Sequence, residues 1–140
     1  MTYAEILDAF TCQSALVIGD LMLDEYIFGR ATRISPEAPV MVVRHQSTTR
    51  LPGGAANVAR NILAFGADVH VVGVIGDDEG GRLLEGAMRD QGLRHSVLVR
   101  ESGRSTTRKT RVLADHRHQV IRVDEEDDRG IGSGTEDQLM

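Results

Sequence analysis

Two groups of residues in this 140-residue chain have types and spacing suited to chemistry. The first is Gly53-Gly54 with Asn57 three residues on. Paired glycines allow backbone angles and a close ligand approach that other residues forbid, and an amide side chain both donates and accepts hydrogen bonds. That combination suits a polyhydroxyl ligand, although a glycine pair before a helix is also the mark of a plain tight turn. The second group is Lys109 and Arg111. Strand alternation puts Thr107, Lys109, Arg111 and Leu113 on one face. Two cations two residues apart could hold a sugar phosphate, and the same pattern fits a solvated charged face of an exposed sheet.

These groups need elements to hold them. Thr2 and Glu5 have the spacing of a capping box, which predicts a short helix to about Phe10. Ala15-Leu16-Val17-Ile18-Gly19 is a continuous apolar run closed by glycine and reads as a strand buried on both faces. Between Asp20 and Arg50 the chain turns to short β-rich pieces, Tyr26-Ile27-Phe28 and Val40-Met41-Val42-Val43, separated by the Ser35-Pro36-Glu37-Ala38-Pro39 loop; these predict a separate small sheet. Residues 53–65 read as a glycine-rich turn feeding an amphipathic helix, with Val58, Ile62 and Phe65 on one face and Gly66 ending it.

A second buried strand is expected over residues 69–75, then a Gly76-Asp77-Asp78 turn with an N-cap. A helix over residues 79–91 follows, with a stripe of Leu83, Leu84, Ala87 and Met88 and a stop at Gly92. Strand, helix, strand, helix points to an α/β layer fold with parallel strands. Residues 96–99, 106–114 and 119–123 return to β character, the last two as a hairpin across Asp115-His116-Arg117-His118. Residues 125–140 are acidic and then glycine-rich, and are expected to be an exposed, poorly ordered tail.

Composition bounds the function. The apolar fraction is 41% but aromatics are 4% and Trp is absent, so Val, Ile, Leu and Ala must build the core, as in a buried parallel sheet. A chain of this length makes one domain with a real core. Sixteen Lys and Arg against 21 Asp and Glu give a net charge of -5, which argues against a sequence-independent grip on nucleic acid. The single Cys12, read as a half-buried small hydrophobe, excludes an intrachain disulfide and suits a reducing cytosol. No apolar run approaches the ~20 residues that span a bilayer, and Glu5 and Asp8 stand where a signal peptide would be basic, so no membrane partner and a cytoplasmic location are expected.

Several features carry less. His116-Arg117-His118 sits in a polar turn with no third ligand nearby, so no metal is assigned. Gly130-Ile131-Gly132-Ser133-Gly134 has no Lys and follows an acidic run rather than a strand, unlike a phosphate loop. The first strand leads into Gly19-Asp20-Leu21-Met22, not into the glycine fingerprint of a dinucleotide fold.

Taken further, the spacing is specific. The glycine pair, Asn57, Ala59, Gly66 and Gly76 together resemble the first signature of the ribokinase-type (PfkB) sugar kinase family. Residues 17–24 are similar to the family's first strand and the loop after it, whose last acidic residue binds sugar hydroxyls, so the resemblance makes Asp24 a sugar ligand. A carboxylate there can accept strong charge-assisted bonds from two adjacent hydroxyls. Within the family, residues 33–40, 52–57 and 106–112 are similar to the heptose 7-phosphate kinases that supply lipopolysaccharide precursors. The resemblance covers residues 15–124.

It implies a ribokinase-like fold: a parallel sheet with flanking helices plus a small β lid, with lid segments at about residues 25–50 and 96–123, and 1–124 forming the N-terminal part of the domain. It implies ATP-dependent phosphorylation of the anomeric hydroxyl of a heptose 7-phosphate, with ATP and Mg2+ in the full-length enzyme, and a homodimer through the lid. Asp24, Gly53, Gly54, Asn57, Lys109 and Arg111 would face the substrate. The family's catalytic aspartate and anion hole lie in an Asp-Thr-x-Gly-Ala-Gly-Asp motif, and these 140 residues contain none. The expectation is therefore only the N-terminal half of the kinase, with no catalytic base, no ATP site and no turnover. A kinase for another sugar, or a non-catalytic sugar-binding or interaction module, are the alternatives.

Overall fold

The computed structural model describes residues 2–115 and 118–139. At the N-terminus the Thr2 hydroxyl accepts from the Glu5 N–H while the Glu5 carboxylate accepts from the Thr2 N–H, and this capping box starts helix α1 (Tyr3–Ala9). A 3-10 turn, Phe10–Cys12, leads to strand β1 (Ser14–Ile18). Cys12 is exposed rather than half-buried, because that turn lies outside the core.

Strands β2 (Leu21–Ile34) and β3 (Met41–Gly54) form a long antiparallel hairpin. They are 14 residues each, far longer than the apolar pieces that announced them, because pairing continues along polar stretches whose backbone groups find ladder partners. Helix α2 (Ala55–Ala64), strand β4 (Asp68–Gly76), helix α3 (Glu79–Asp90) and strand β5 (His95–Glu101) follow in the expected alternation. Strands β6 (Arg108–Ala114) and β7 (His118–Glu125) form the expected hairpin; His116 and Arg117 of its link lie outside the described residues.

The strands sort into two sheets. One is parallel, in the order β1-β4-β5; the other is mixed, in the order β3-β2-β6-β7, with β2 parallel to β6 and both outer pairs antiparallel. The expectation that residues 96–99 belong to the small sheet is thus corrected. With α3 as a crossover, β5 returns parallel to β4 in the main sheet. The core lies where α2 and α3 meet both sheets, built from Leu21, Leu23, Val71, Ile75, Leu84 and Met88.

Three further expectations are corrected. β1 is not buried on both faces: Val17 packs against the core, whereas Leu16 and Ile18 are 61% and 67% exposed on the face away from α2. Helix α2 buries Ala56 and Ala59, with Ile62 and Leu63 beside them, and leaves Val58 and Phe65 about half exposed. Small residues let it approach the sheets closely, which rotates the inward face away from the larger side chains. Lastly, residues 125–139 are not a loose tail. Helix α4 (Ser133–Leu139) contacts β4 and β5 and buries Thr135, and the segment before it is tied down by bonds described below.

Candidate functional site

Alternation along β2 divides its chemistry between two faces. Leu21, Leu23 and Glu25 are buried on the side of the helices, while Met22, Asp24, Tyr26 and Phe28 occupy the other side. Register then aligns Lys109 with Asp24 and Arg111 with Tyr26 across the parallel β2–β6 pair, and Gly53 with Met22 across β2–β3. One sheet face therefore carries Asp24, Gly53, Lys109 and Arg111 together.

Arg111 Nη1 donates to Asp24 Oδ1 at 2.5 Å, and its guanidinium lies 5.3 Å from the Tyr26 ring centre. The Asp24 carboxylate holds Arg111 above its usual range. Asp24 also leans over Gly53, where any Cβ would collide with its Oδ2 and crowd Met22 Cγ at 2.8 Å. Gly53 is accordingly in strand conformation rather than in the expected loop, and its missing side chain makes room for the carboxylate. Gly54 ends the strand at φ 58° and ψ -132°, a region closed to other residues. That sharp exit lets the Ala55 N–H reach the Asp20 carbonyl at 2.9 Å, so α2 starts with no intervening loop. Asn57 falls in the first turn of α2, half-buried, with its Oδ1 accepting from Arg60 Nη2 at 2.9 Å.

Lys109 sits beside this group with its ammonium turned to β7 and beyond. It donates to Asp124 Oδ2 at 3.3 Å and to Glu126 Oε1, and these carboxylates, Glu126 foremost, hold it above the usual lysine range. It lines a cleft of about 560 Å³ at the carboxyl end of β1, bounded by Gly19, Asp20, Val74 and the 126–131 segment. Of the six candidate residues, only Lys109 lines that cleft; Asp24, Gly53 and Arg111 share its sheet face but lie outside the cleft, and Gly54 and Asn57 stand at the start of α2.

Two buried polar links support the site, and neither was read from the sequence. Glu25, 2% exposed, accepts from Arg50 Nε at 2.6 Å and Arg108 Nη2 at 2.5 Å, tying β2 to both neighbours. Burial would raise its carboxyl, but the bonds from Arg108 and Arg50 outweigh that and hold it below the usual range. Asp78 caps α3 by accepting from the Gly81 N–H at 2.7 Å and also accepts from the N–H and hydroxyl of Thr106. Thr106, 4% exposed, in turn accepts from the Gly76 N–H. Desolvation pushes Asp78 up, yet these donors bring it below its ordinary value. The signal for Glu25 was its place one residue after Asp24 in a strand that buries every second side chain. For Asp78, capping was legible but the partner 28 residues away was not. Among the described residues, no group of three or more His, Cys, Asp or Glu side chains could hold a metal ion.

A family model for pfkB family carbohydrate kinases matches residues 13–129. The chain belongs to this family. This pfkB chain is 48% identical over 126 residues to the bifunctional protein HldE of Citrifermentans bemidjiense, covering 90% of the chain and 26% of that relative. It thus spans about a quarter of the relative's length. Among solved structures, a carbohydrate kinase from Agrobacterium tumefaciens superposes with a TM-score of 0.64 at 24% identity, over 81% of the chain and 35% of that protein. The phosphofructokinase-2 of Escherichia coli in complex with fructose-6-phosphate gives 0.63 at 19% identity, over 91% and 39%. These likenesses show the expected fold, ribokinase-like and α/β, with parallel strands flanked by helices. Among the described residues, no helix is long and apolar enough to cross a membrane.

Proposed function

We propose that this chain supplies the sugar side of an ATP-dependent kinase that phosphorylates the anomeric hydroxyl of a heptose 7-phosphate in the cytoplasm. The observation that carries the reading is the shared face of Asp24, Gly53 and Arg111, where a carboxylate rests over a bare glycine beside a guanidinium. Asp24 would accept from two sugar hydroxyls, and the backbone at Gly53 and Gly54 would let the ring approach. The Asn57 amide would bond a further hydroxyl, and Lys109 and Arg111 would hold the 7-phosphate.

The four-stranded sheet acts in this reading as a lid that excludes water from the transferring phosphoryl group, and it also meets its copy in a homodimer. ATP supplies the phosphoryl group in the whole enzyme, with Mg2+ as its counter-ion. These residues do not fit an ATP site, because the motif for the base and anion hole does not occur among the 140 residues, and among the described residues no group of three or more His, Cys, Asp or Glu side chains could hold a metal ion. No phosphoryl-transfer step is therefore assigned to these side chains.

A calorimetric panel of sugars and sugar phosphates tests the substrate. Heptose 7-phosphate should bind better than unphosphorylated heptose, ribose or fructose-6-phosphate, and a tighter fit for another sugar would replace heptose in the account. In the full-length enzyme, Lys109→Glu should raise the KM for the phosphorylated sugar; an unchanged KM would remove Lys109 from the site.

A further inference from the structure

Both cations of the candidate site are already ion-paired, but their partners differ in kind. Arg111 is held by Asp24, a residue of β2 fixed by ladder bonds on both sides. Lys109 is held by Asp124 and by Glu126, and Glu126 lies just past the end of β7, where no strand pairing restrains it. The backbone of Glu126 lies outside the β7 ladder, whereas that of Asp24 is paired on both sides.

The chain beyond Glu126 is anchored at its far side. Arg129 Nη2 donates to the Gly103 carbonyl at 2.5 Å, while Arg104 Nη2 donates back to the carbonyls of Arg129 and Gly130 at 2.9 Å each. The Gly132 N–H bonds Glu101 at 2.7 Å. Residues 126–131 thus line the cleft beside Lys109, clasped to the β5–β6 connection at one end and joined to Lys109 by an ion pair at the other.

We propose that residues 126–131 form a strap which competes with the substrate's phosphate for Lys109, an autoinhibitory contact built into this chain. The inference rests on the proposed role of Lys109 as a phosphate ligand. With the strap down, Asp124 and Glu126 neutralise the ammonium and repel an approaching dianion. With Glu126 released, Lys109 faces the cleft with one carboxylate fewer beside it.

The test is Glu126→Gln in the full 140-residue chain, titrated calorimetrically with D-glycero-D-manno-heptose 7-phosphate and with unphosphorylated heptose. An exposed ion pair of this kind changes affinity by about two- to fivefold. E126Q should bind the phosphorylated sugar tighter by that factor and leave heptose unchanged. The gain should vanish in the K109M/E126Q double variant. Glu125→Gln is the control, since Glu125 aligns with Arg108 on the opposite face of the sheet. If E126Q binds the phosphorylated sugar no tighter while K109M weakens it, the strap is wrong and the Lys109 reading stands. If K109M binds like the unaltered chain, or if no variant shows phosphate-dependent binding, Lys109 is not a phosphate ligand and the strap falls with it.

Discussion

The two sheets are held together by different physics. The parallel sheet is fastened by apolar packing: Val71 and Ile75 of β4 lie within 1% of full burial against Leu84 and Met88 of α3. The four-stranded sheet shares Leu21 and Leu23 with that core, and beyond them ion pairs cross-link the side chains of its ladder-paired strands. Glu25 links to Arg50 and Arg108, Asp24 to Arg111, and Lys109 to Asp124. Apolar packing is non-directional and tolerates a uniform surface; ion pairs fix which side chain faces which. The difference explains why the candidate binding groups sit on the second sheet, where the side chains that orient one another are also those able to orient a ligand.

That contrast can be broken from either side. Truncating Leu84, fully buried at the junction of α3 with both sheets, should have the largest effect: Leu84→Ala costs about 3 to 4 kcal/mol, read as a lowered Tm with both sheets melting together. Next comes Gly54→Ala. It forces a side chain into a backbone conformation closed to it and onto the Asp20 carbonyl, for a loss of about 2 to 3 kcal/mol in denaturant unfolding.

Glu25→Gln should cost about 2 kcal/mol at neutral pH by stripping charge from two arginine bonds. It should also alter the acid limb. The folded Glu25 carboxyl lies below its unfolded value, so its stabilisation is complete above the ordinary carboxylate range and is lost as pH falls through the folded value. Unfolding measured against pH should show a shallower acid loss in E25Q, and an identical slope would mean that Glu25 does not supply it.

Smallest is the response to salt. Raising ionic strength should weaken amide protection in β6 and β7 more than in β4, by less than about 1 kcal/mol, because pairs such as Arg122–Asp124 are exposed. Equal loss in both sheets would erase the distinction.

The same contrast separates what was legible in the sequence from what was not. Apolar periodicity and glycine stops gave α3, β4 and the capping box at Thr2, because local propensity and packing agree there. They misjudged α2, whose inward face is set by small residues and close approach rather than by the largest side chains. They also assigned residues 96–99 to the wrong sheet, since β character says nothing about the partner strand, and the crossover through α3 decides it. For the site, the types and spacing of Gly53, Gly54 and Asn57 were readable. The bond from Arg111 to Asp24, 87 residues away, and the link from Asp78 to Thr106 come from strand order and turn geometry. The tail was misread on composition: its glycines and acids are ordered by Arg104, Arg129 and Glu101, contacts that no local pattern announces.

The central claim is that the face carrying Asp24 and Gly53 binds the sugar, and Asp24→Asn tests it most directly. Calorimetric titration of the chain with heptose 7-phosphate should show binding to the unaltered protein, little heat with ATP alone, and a loss of about tenfold or more in D24N for both heptose 7-phosphate and heptose, with the circular dichroism spectrum unchanged. Equal affinity of a folded D24N variant for the sugar would contradict the account.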